Sequence, residues 1–288
     1  MVKQNISTAI TCTQPVLLEY TRARKTVILL NSVYVYIGAP TIQFIYRNRL
    51  IIVMFSVFSE SKRIRDIVKP HINGDLPLTI YQDRPEEHIN KIMLIFMNPS
   101  KGNGIMDEVD ECARDGFINW LQQKRFFFHR FIETLKKHIT GSYHFKRVDF
   151  DDITLDSFDN YVKLNFFEDF YVTDFVKLRL NTSEMRESLK LKTIKTRWSG
   201  LLQEEIRLVS PPLTMSFGAN AWESLRKLVQ PELDKIPVTK VHGNLYNITG
   251  DVHYIPLAFI PGASSYLKDS YFMYLNEGLR EQIKHMRD

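Results

Sequence analysis

Cysteine is scarce in this sequence: two residues, Cys12 and Cys112, stand far apart among 288. No CxxC pair or Cys/His spacing marks a zinc site, and two thiols cannot hold a four-cysteine iron–sulfur cluster. Free thiols fit a reducing compartment, so the expected location is cytoplasmic and no metal or other cofactor is expected. Internal repeats and low-complexity tracts are absent, which excludes solenoids and arrays. Disorder over most of the chain is excluded as well, because 44% of residues are hydrophobic and only 25% are charged. Excess charge of one sign is slight. Lys and Arg number 38 against 33 Asp and Glu, a net +5 with a pI near 9.0. That balance admits a polyanionic partner such as DNA without requiring one.

No uninterrupted apolar run of membrane length occurs. Residues 27–45 (VILLNSVYVYIGAPTIQFI) form an uncharged stretch long enough to span a bilayer, but Asn31, Ser32, Gly38, Pro40 and Gln43 break it. Val, Ile and Tyr on both sides of Gly38-Ala39-Pro40 read better as two strands. A secretory signal fits poorly, since the n-region is long and no small-residue cleavage site follows. Residues 1–58 are therefore expected to be an accessory or poorly ordered extension rather than a membrane anchor. Met54 as the true start is a further alternative.

Residues 59–288 carry a regular pattern. SESKRIRDIVKPHI places Ile64, Ile67 and Val68 at helical spacing and ends near Pro70. Ile92–Met97 is a continuous apolar run suited to a buried central strand. Over 110–138, Phe117, Trp120, Leu121, Phe128, Phe131 and Leu135 recur at intervals of three, four and seven, which predicts helix. Further strands are expected at Phe167–Val176, Leu213–Phe217 and Val252–Ala258, with helix within 182–209, at 219–229 and in the tail 271–286. Strands alternating with helices predict an α/β fold: a three-layer α/β/α domain around a mostly parallel four-stranded sheet, expected to be a monomer.

Ligands of such sheets gather at the carboxyl ends of the strands, where three loops carry distinctive residues. The first reads Met97-Asn98-Pro99-Ser100-Lys101-Gly102-Asn103-Gly104. The second follows Tyr171-Val172-Thr173-Asp174-Phe175-Val176-Lys177. The third reads Ala258-Phe259-Ile260-Pro261-Gly262-Ala263-Ser264-Ser265. Between them stand Leu202-Gln203-Glu204-Glu205-Ile206, Pro212-Leu213-Thr214-Met215-Ser216-Phe217-Gly218-Ala219-Asn220-Ala221, and Val241-His242-Gly243-Asn244-Leu245-Tyr246. In this order, over roughly residues 60–286, the segments resemble the uracil-DNA glycosylase superfamily. The first loop is similar to the Gly-hydrophobic-Asn-Pro-Gly motif of the mismatch-specific and single-strand-selective branches, with Phe96 and Ser100 at the glycine positions. Asp174 stands where many members have a base-reading asparagine. The usual His-Pro-Ser of the third motif is lost: one register puts Phe259 in the histidine slot, another Ile260. A Leu-Asn-Pro-Ser motif in a related family also resembles the first loop, so Asn98-Pro99-Ser100 does not by itself fix the reaction.

The resemblance implies a monofunctional DNA base-excision glycosylase. Asn98 would orient the attacking water, while Met97, Pro99, Ser100, Asp174 and Phe259 would hold the base. Lys101, Ser264, Ser265, Tyr266 and Lys268 would meet DNA, with Tyr266 or Leu267 as a wedge in the stack. Plainer readings stand beside these. In them Asn98 merely shapes an Asn-Pro turn, and Asp174 caps a loop or pairs with Lys177 or Arg179. His242 and His253 are more often packed or surface residues than stand-ins for the missing histidine. Arg125, His129 and Arg130 among Phe126–Phe128 read as core with a solvated basic edge. The alternative to an enzyme is a catalytically inactive nucleic-acid- or nucleotide-binding protein on the same fold.

Overall fold

The computed structural model describes residues 9–10, 26–30, 33–38, 41–46, 49–72, 74–99, 106–139, 153–229, 231–233, 235–248, 252–258 and 267–285. The chain divides into two compact units, Met1–Ser56 and Val57–Asp288. The first holds a five-stranded sheet in sequential order: β1 (Ala9–Ile10), β2 (Thr26–Leu30), β3 (Val33–Gly38), β4 (Thr41–Tyr46) and β5 (Arg49–Met54). β1 pairs parallel with β2, and the remaining pairs are antiparallel. Gly38 and Thr41 face each other across β3 and β4, so the Gly-Ala-Pro break separates two strands as the residue pattern suggests. Among the described residues, no helix is long and apolar enough to cross a membrane.

The second unit runs α1 (Val57–Val68), β6 (Thr79–Ile80), β7 (Ile92–Phe96), β8 (Glu108–Val109), α2 (Glu111–Gln123), α3 (Arg125–Ile139), α4 (Phe158–Leu164), α5 (Phe166–Asp169) and β9 (Phe170–Asp174). It continues with α6 (Thr182–Lys190), α7 (Lys192–Val209), β10 (Thr214–Phe217), α8 (Ala219–Val229), α9 (Val238–Val241), β11 (Tyr246–Ile248), β12 (Val252–Leu257) and α10 (Leu267–His285). The main sheet has the order β11-β12-β10-β7-β9. All four strands expected from sequence are present and mutually parallel, and β7 is fully buried over Ile92–Ile95. The sheet has five strands rather than four, because β11 adds an antiparallel edge through the hairpin with β12.

Two further boundaries differ from expectation. The helical region 110–138 is broken at Lys124, whose N–H is shared between the carbonyls of Trp120 and Leu121. Its apolar period survives the break because α2 and α3 both turn their buried faces to one core. The strand expected over Phe167–Val176 begins only at Phe170, since α5 takes up the residues before it.

Side chains alternate across the sheet. Ile92, Leu94, Phe170 and Val172 join Phe117, Leu121, Phe128, Phe131, Phe272 and Leu275 in one apolar cluster. Tyr171 and Thr173, of the opposite parity, meet Glu205 of α7. The free edge of β9 is covered by Gln82. Its Nε2 donates to the carbonyls of Phe167 and Phe170, and its Oε1 accepts from the Val172 N–H at 2.7 Å. An edge strand is thereby sealed by a side chain.

The chain leaves β7 for β9 on one side, then crosses to β10 on the other. The carboxyl ends of β7 and β10 therefore flank a topological switch point, the crevice where open α/β sheets bind ligands.

Candidate functional site at the switch point

Asn98 lies half-buried just beyond β7. Its Nδ2 donates to the carbonyls of Leu180 at 2.8 Å and Pro99 at 3.0 Å. Two carbonyl acceptors fix the sense of the amide, because only the NH2 end can donate to them. Oδ1 is left as a directed acceptor, and no described residue donates to it. The amide also ties the first loop to the second. That junction is reinforced where the N–H groups of Phe175 and Val176 donate to the carbonyls of Phe96 and Met97, at 2.8 and 2.9 Å.

Asp174 ends β9 directly opposite Phe96. It is 1% exposed, and its Oδ2 has no hydrogen-bond partner. Burial pushes its carboxyl up to about 7 from the ordinary 3.8. Lys177 and the neighbouring Tyr81 hydroxyl oppose the rise, and Glu205 adds to it. Of the two cations weighed as its partners, Lys177 is the one whose charge acts on it. The Arg179 guanidinium pairs with Glu108 and donates to Thr79 Oγ1.

Lys177 is spoken for in the same way. Its Nζ donates to Glu205 Oε2 at 2.8 Å, to Thr173 Oγ1 at 2.5 Å, and to the backbone carbonyl of Asp174. The three ammonium donors are thus all used. Glu205 Oε1 accepts from the Tyr171 hydroxyl at 2.8 Å and the Thr173 hydroxyl at 2.7 Å. Lys177 and Glu205 are 2% and 0% exposed. This closed network pins the carboxyl end of β9 while leaving the Asp174 side chain outside it.

Phe96, at the position of the motif's first glycine, stacks on Phe217 of β10 with ring centroids 4.8 Å apart and planes 7° from parallel. Trp120 meets its edge. An aromatic floor therefore spans β7 and β10 beside Asp174. Met97 turns elsewhere, with its Sδ 3.8 Å from Ser224 Oγ. It lines a cleft of about 370 Å3 with Met185, Arg186, Leu189, Lys190, Lys195 and the α8 residues Asn220, Glu223, Ser224 and Arg226. Met97 and Asp174, grouped together by sequence, take different neighbours. Pro99 is buried between them in sequence and next to Asn98.

Ser100, Lys101, Phe259, Ser264, Ser265 and Tyr266 lie outside the described residues. Lys268 belongs to the first turn of α10, and its side chain is likewise outside them. His242 is packed, as the plainer reading had it. The Ala258 N–H donates to Nδ1 at 2.9 Å and Nε2–H donates to the Tyr271 carbonyl at 3.1 Å, which fixes a neutral tautomer. Burial lowers its pKa, partly offset by the Tyr271 carbonyl. His253 sits in the first half of β12, away from its carboxyl end. Phe127 and Phe128 are core residues. Phe126 is exposed, with the Arg125 guanidinium 5.0 Å from its ring centroid. No group of three or more His, Cys, Asp or Glu among the described residues is disposed to hold a metal ion.

Sequence reasoning did not find Tyr81 or the cations of the cleft. Tyr81 comes to the site from a loop far upstream. Arg186, Lys190, Lys195 and Arg226 are spread over three helices, so no local run of charge announces them. Comparison with protein-family models and with curated protein sequences finds no match.

Proposed function

We propose that this protein is a DNA base-excision glycosylase of uracil-DNA-glycosylase type, built as a three-layer α/β/α domain, that hydrolyses the N-glycosidic bond of uracil or another deaminated or damaged base. The observation that carries the reading is Asn98. Its amide is oriented at the switch point with Oδ1 left to accept from a water.

An amide carbonyl aligns water but hardly deprotonates it, so the enzyme works by orientation and is slow. As the C1′–N bond breaks, its electron pair passes to the base. The water oxygen bonds to C1′, and the water's proton ends on the base or in solvent. Asp174 faces the base edge. With its pKa near 7 a sizeable share of it is neutral at neutral pH, and a neutral carboxyl offers a donor and an acceptor, as an amide does. Its 1% exposure means that a flipped base must displace the packing over this edge, which couples excision to local opening.

One observation favours a second reading, a catalytically inactive nucleic-acid- or nucleotide-binding protein on the same fold. The histidine nearest the exit of β12, His242, has both ring nitrogens engaged and cannot donate to a departing base. The two readings separate in an assay for abasic sites, using single- and double-stranded oligonucleotides carrying uracil, hypoxanthine, xanthine or ethenocytosine. The glycosylase reading expects cleavage of at least one. Binding without cleavage of any supports the inactive one.

A further inference from the structure

We propose that the cleft between α6, the start of α7 and α8 is a binding site for the phosphodiester backbone of a nucleic-acid strand, held by Arg186, Lys190, Lys195 and Arg226. The inference deepens the reading of DNA as the partner, and it does not require that the protein cleave anything.

Charge is the first argument. Among the described residues, four cations and one carboxylate, Glu223, line this cleft of about 370 Å3, whereas the whole chain carries a net of only +5. Positive charge is thus gathered at one place, and the summed potential there favours a polyanion. Arg186 is exposed and makes no ion pair with any described residue. Lys190 is held at 2.6 Å by Glu187, but both partners are well exposed. An exposed pair of that kind is weak and yields readily to a phosphate.

Position is the second. Gly218, at φ +93°, turns the chain from β10 into α8, whose first turn contributes Asn220 to the cleft. Glu223, Ser224 and Arg226 continue that wall along one side of the helix, so α8 flanks the cleft from its first turn onward. Met97 on the cleft wall immediately precedes Asn98, and neighbouring Cα atoms are about 3.8 Å apart. A strand lying in the cleft passes beside the water-orienting amide.

The lining also says what is read. Among the described residues it contains Met97, Met185 and Leu189 but no aromatic ring, so none of them stacks a base. Cations spread over three helices suit successive phosphates of a strand better than one small anion. The cleft thus positions the strand and leaves base recognition to the neighbouring edge.

The test is fluorescence anisotropy of the full chain with an undamaged, fluorescein-labelled single-stranded oligonucleotide, titrated over a range of NaCl. The variant is Arg186→Gln/Lys195→Gln; the control is Lys62→Gln/Lys69→Gln, two exposed cations of and just beyond α1. Melting curves confirm that both remain folded. At low salt the cleft variant is expected to bind at least ~10-fold more weakly, and its slope of log K against log salt to fall by about 1.4, roughly 0.7 per lost contact. The control should match the wild type. Equal loss in both pairs, or none in the cleft variant, overturns the proposal. Competition by thymidine monophosphate as effective as by a strand, at equal phosphate concentration, would also overturn it in favour of a mononucleotide site. An inactive protein that passes this test leaves the cleft assignment standing while the glycosylase reading falls.

Discussion

Replacing Asp174 by asparagine should change how stability depends on pH, with a magnitude that follows from the burial of the carboxyl. In the folded protein its pKa is about 7 against an ordinary 3.8, so between those values the native state binds more protons at this position than the unfolded chain does. Stability from this group is fully present below the unfolded pKa and is lost as pH rises through the folded one. Relative to Asp174→Asn, which cannot ionise, the wild type should lose about 3 kcal/mol between about pH 4.5 and pH 8. For a folded unit of this size that corresponds to a relative Tm shift of about 6–12 °C. The three tryptophans, Trp120, Trp198 and Trp222, all lie within Val57–Asp288, so tryptophan fluorescence follows the unfolding of that unit. Denaturant titrations at several pH values supply the free energies. Other titrating groups, His242 among them, are common to both proteins and cancel in the difference. A wild-type–variant difference that stays constant from acid to alkaline pH would refute the reasoning.

Two other perturbations probe the scaffold. Glu205→Gln leaves the buried Lys177 ammonium without its counter-charge and should cost about 3–5 kcal/mol, with much of the loss recovered in Glu205→Gln/Lys177→Met; chemical denaturation of the singles and the double measures the coupling. Gly278→Ala should melt well below the wild type, because a Cβ there would lie 1.8 Å from the Gly243 carbonyl oxygen. Gly200→Ala in α7, which meets nothing within 4 Å, should be neutral or raise stability by about 0.5–1 kcal/mol in the same thermal scans.

What the sequence made legible and what it did not have physical causes. Ile92–Phe96 was readable because a strand buried on both faces must be apolar throughout. β11 escaped notice because three residues at a sheet edge, only one of them buried, carry too little pattern. The break at Lys124 was hidden because Phe117, Leu121, Phe128 and Phe131 serve one core from two helices, so the period runs through it. At the site, Asn98 and Asp174 stood out as departures or matches within short motifs. Their chemistry did not, because it depends on partners distant in sequence: Leu180 orients the Asn98 amide, and Tyr81 and the Lys177–Glu205 network surround Asp174. Local patterns report which face is buried, whereas the state of a carboxyl is set by everything packed around it.

The proposed role of Asn98 is to orient water for base excision at the carboxyl edge of β7. Its most direct measurement is single-turnover formation of abasic sites by the wild type and by Asn98→Ala, on whichever modified oligonucleotide of the panel is cleaved. Cleavage by the wild type and loss of most of it in the variant are expected, with binding of undamaged DNA retained. An Asn98→Ala protein that excises the base at the wild-type rate would contradict it, as would a wild type that cleaves none of the substrates.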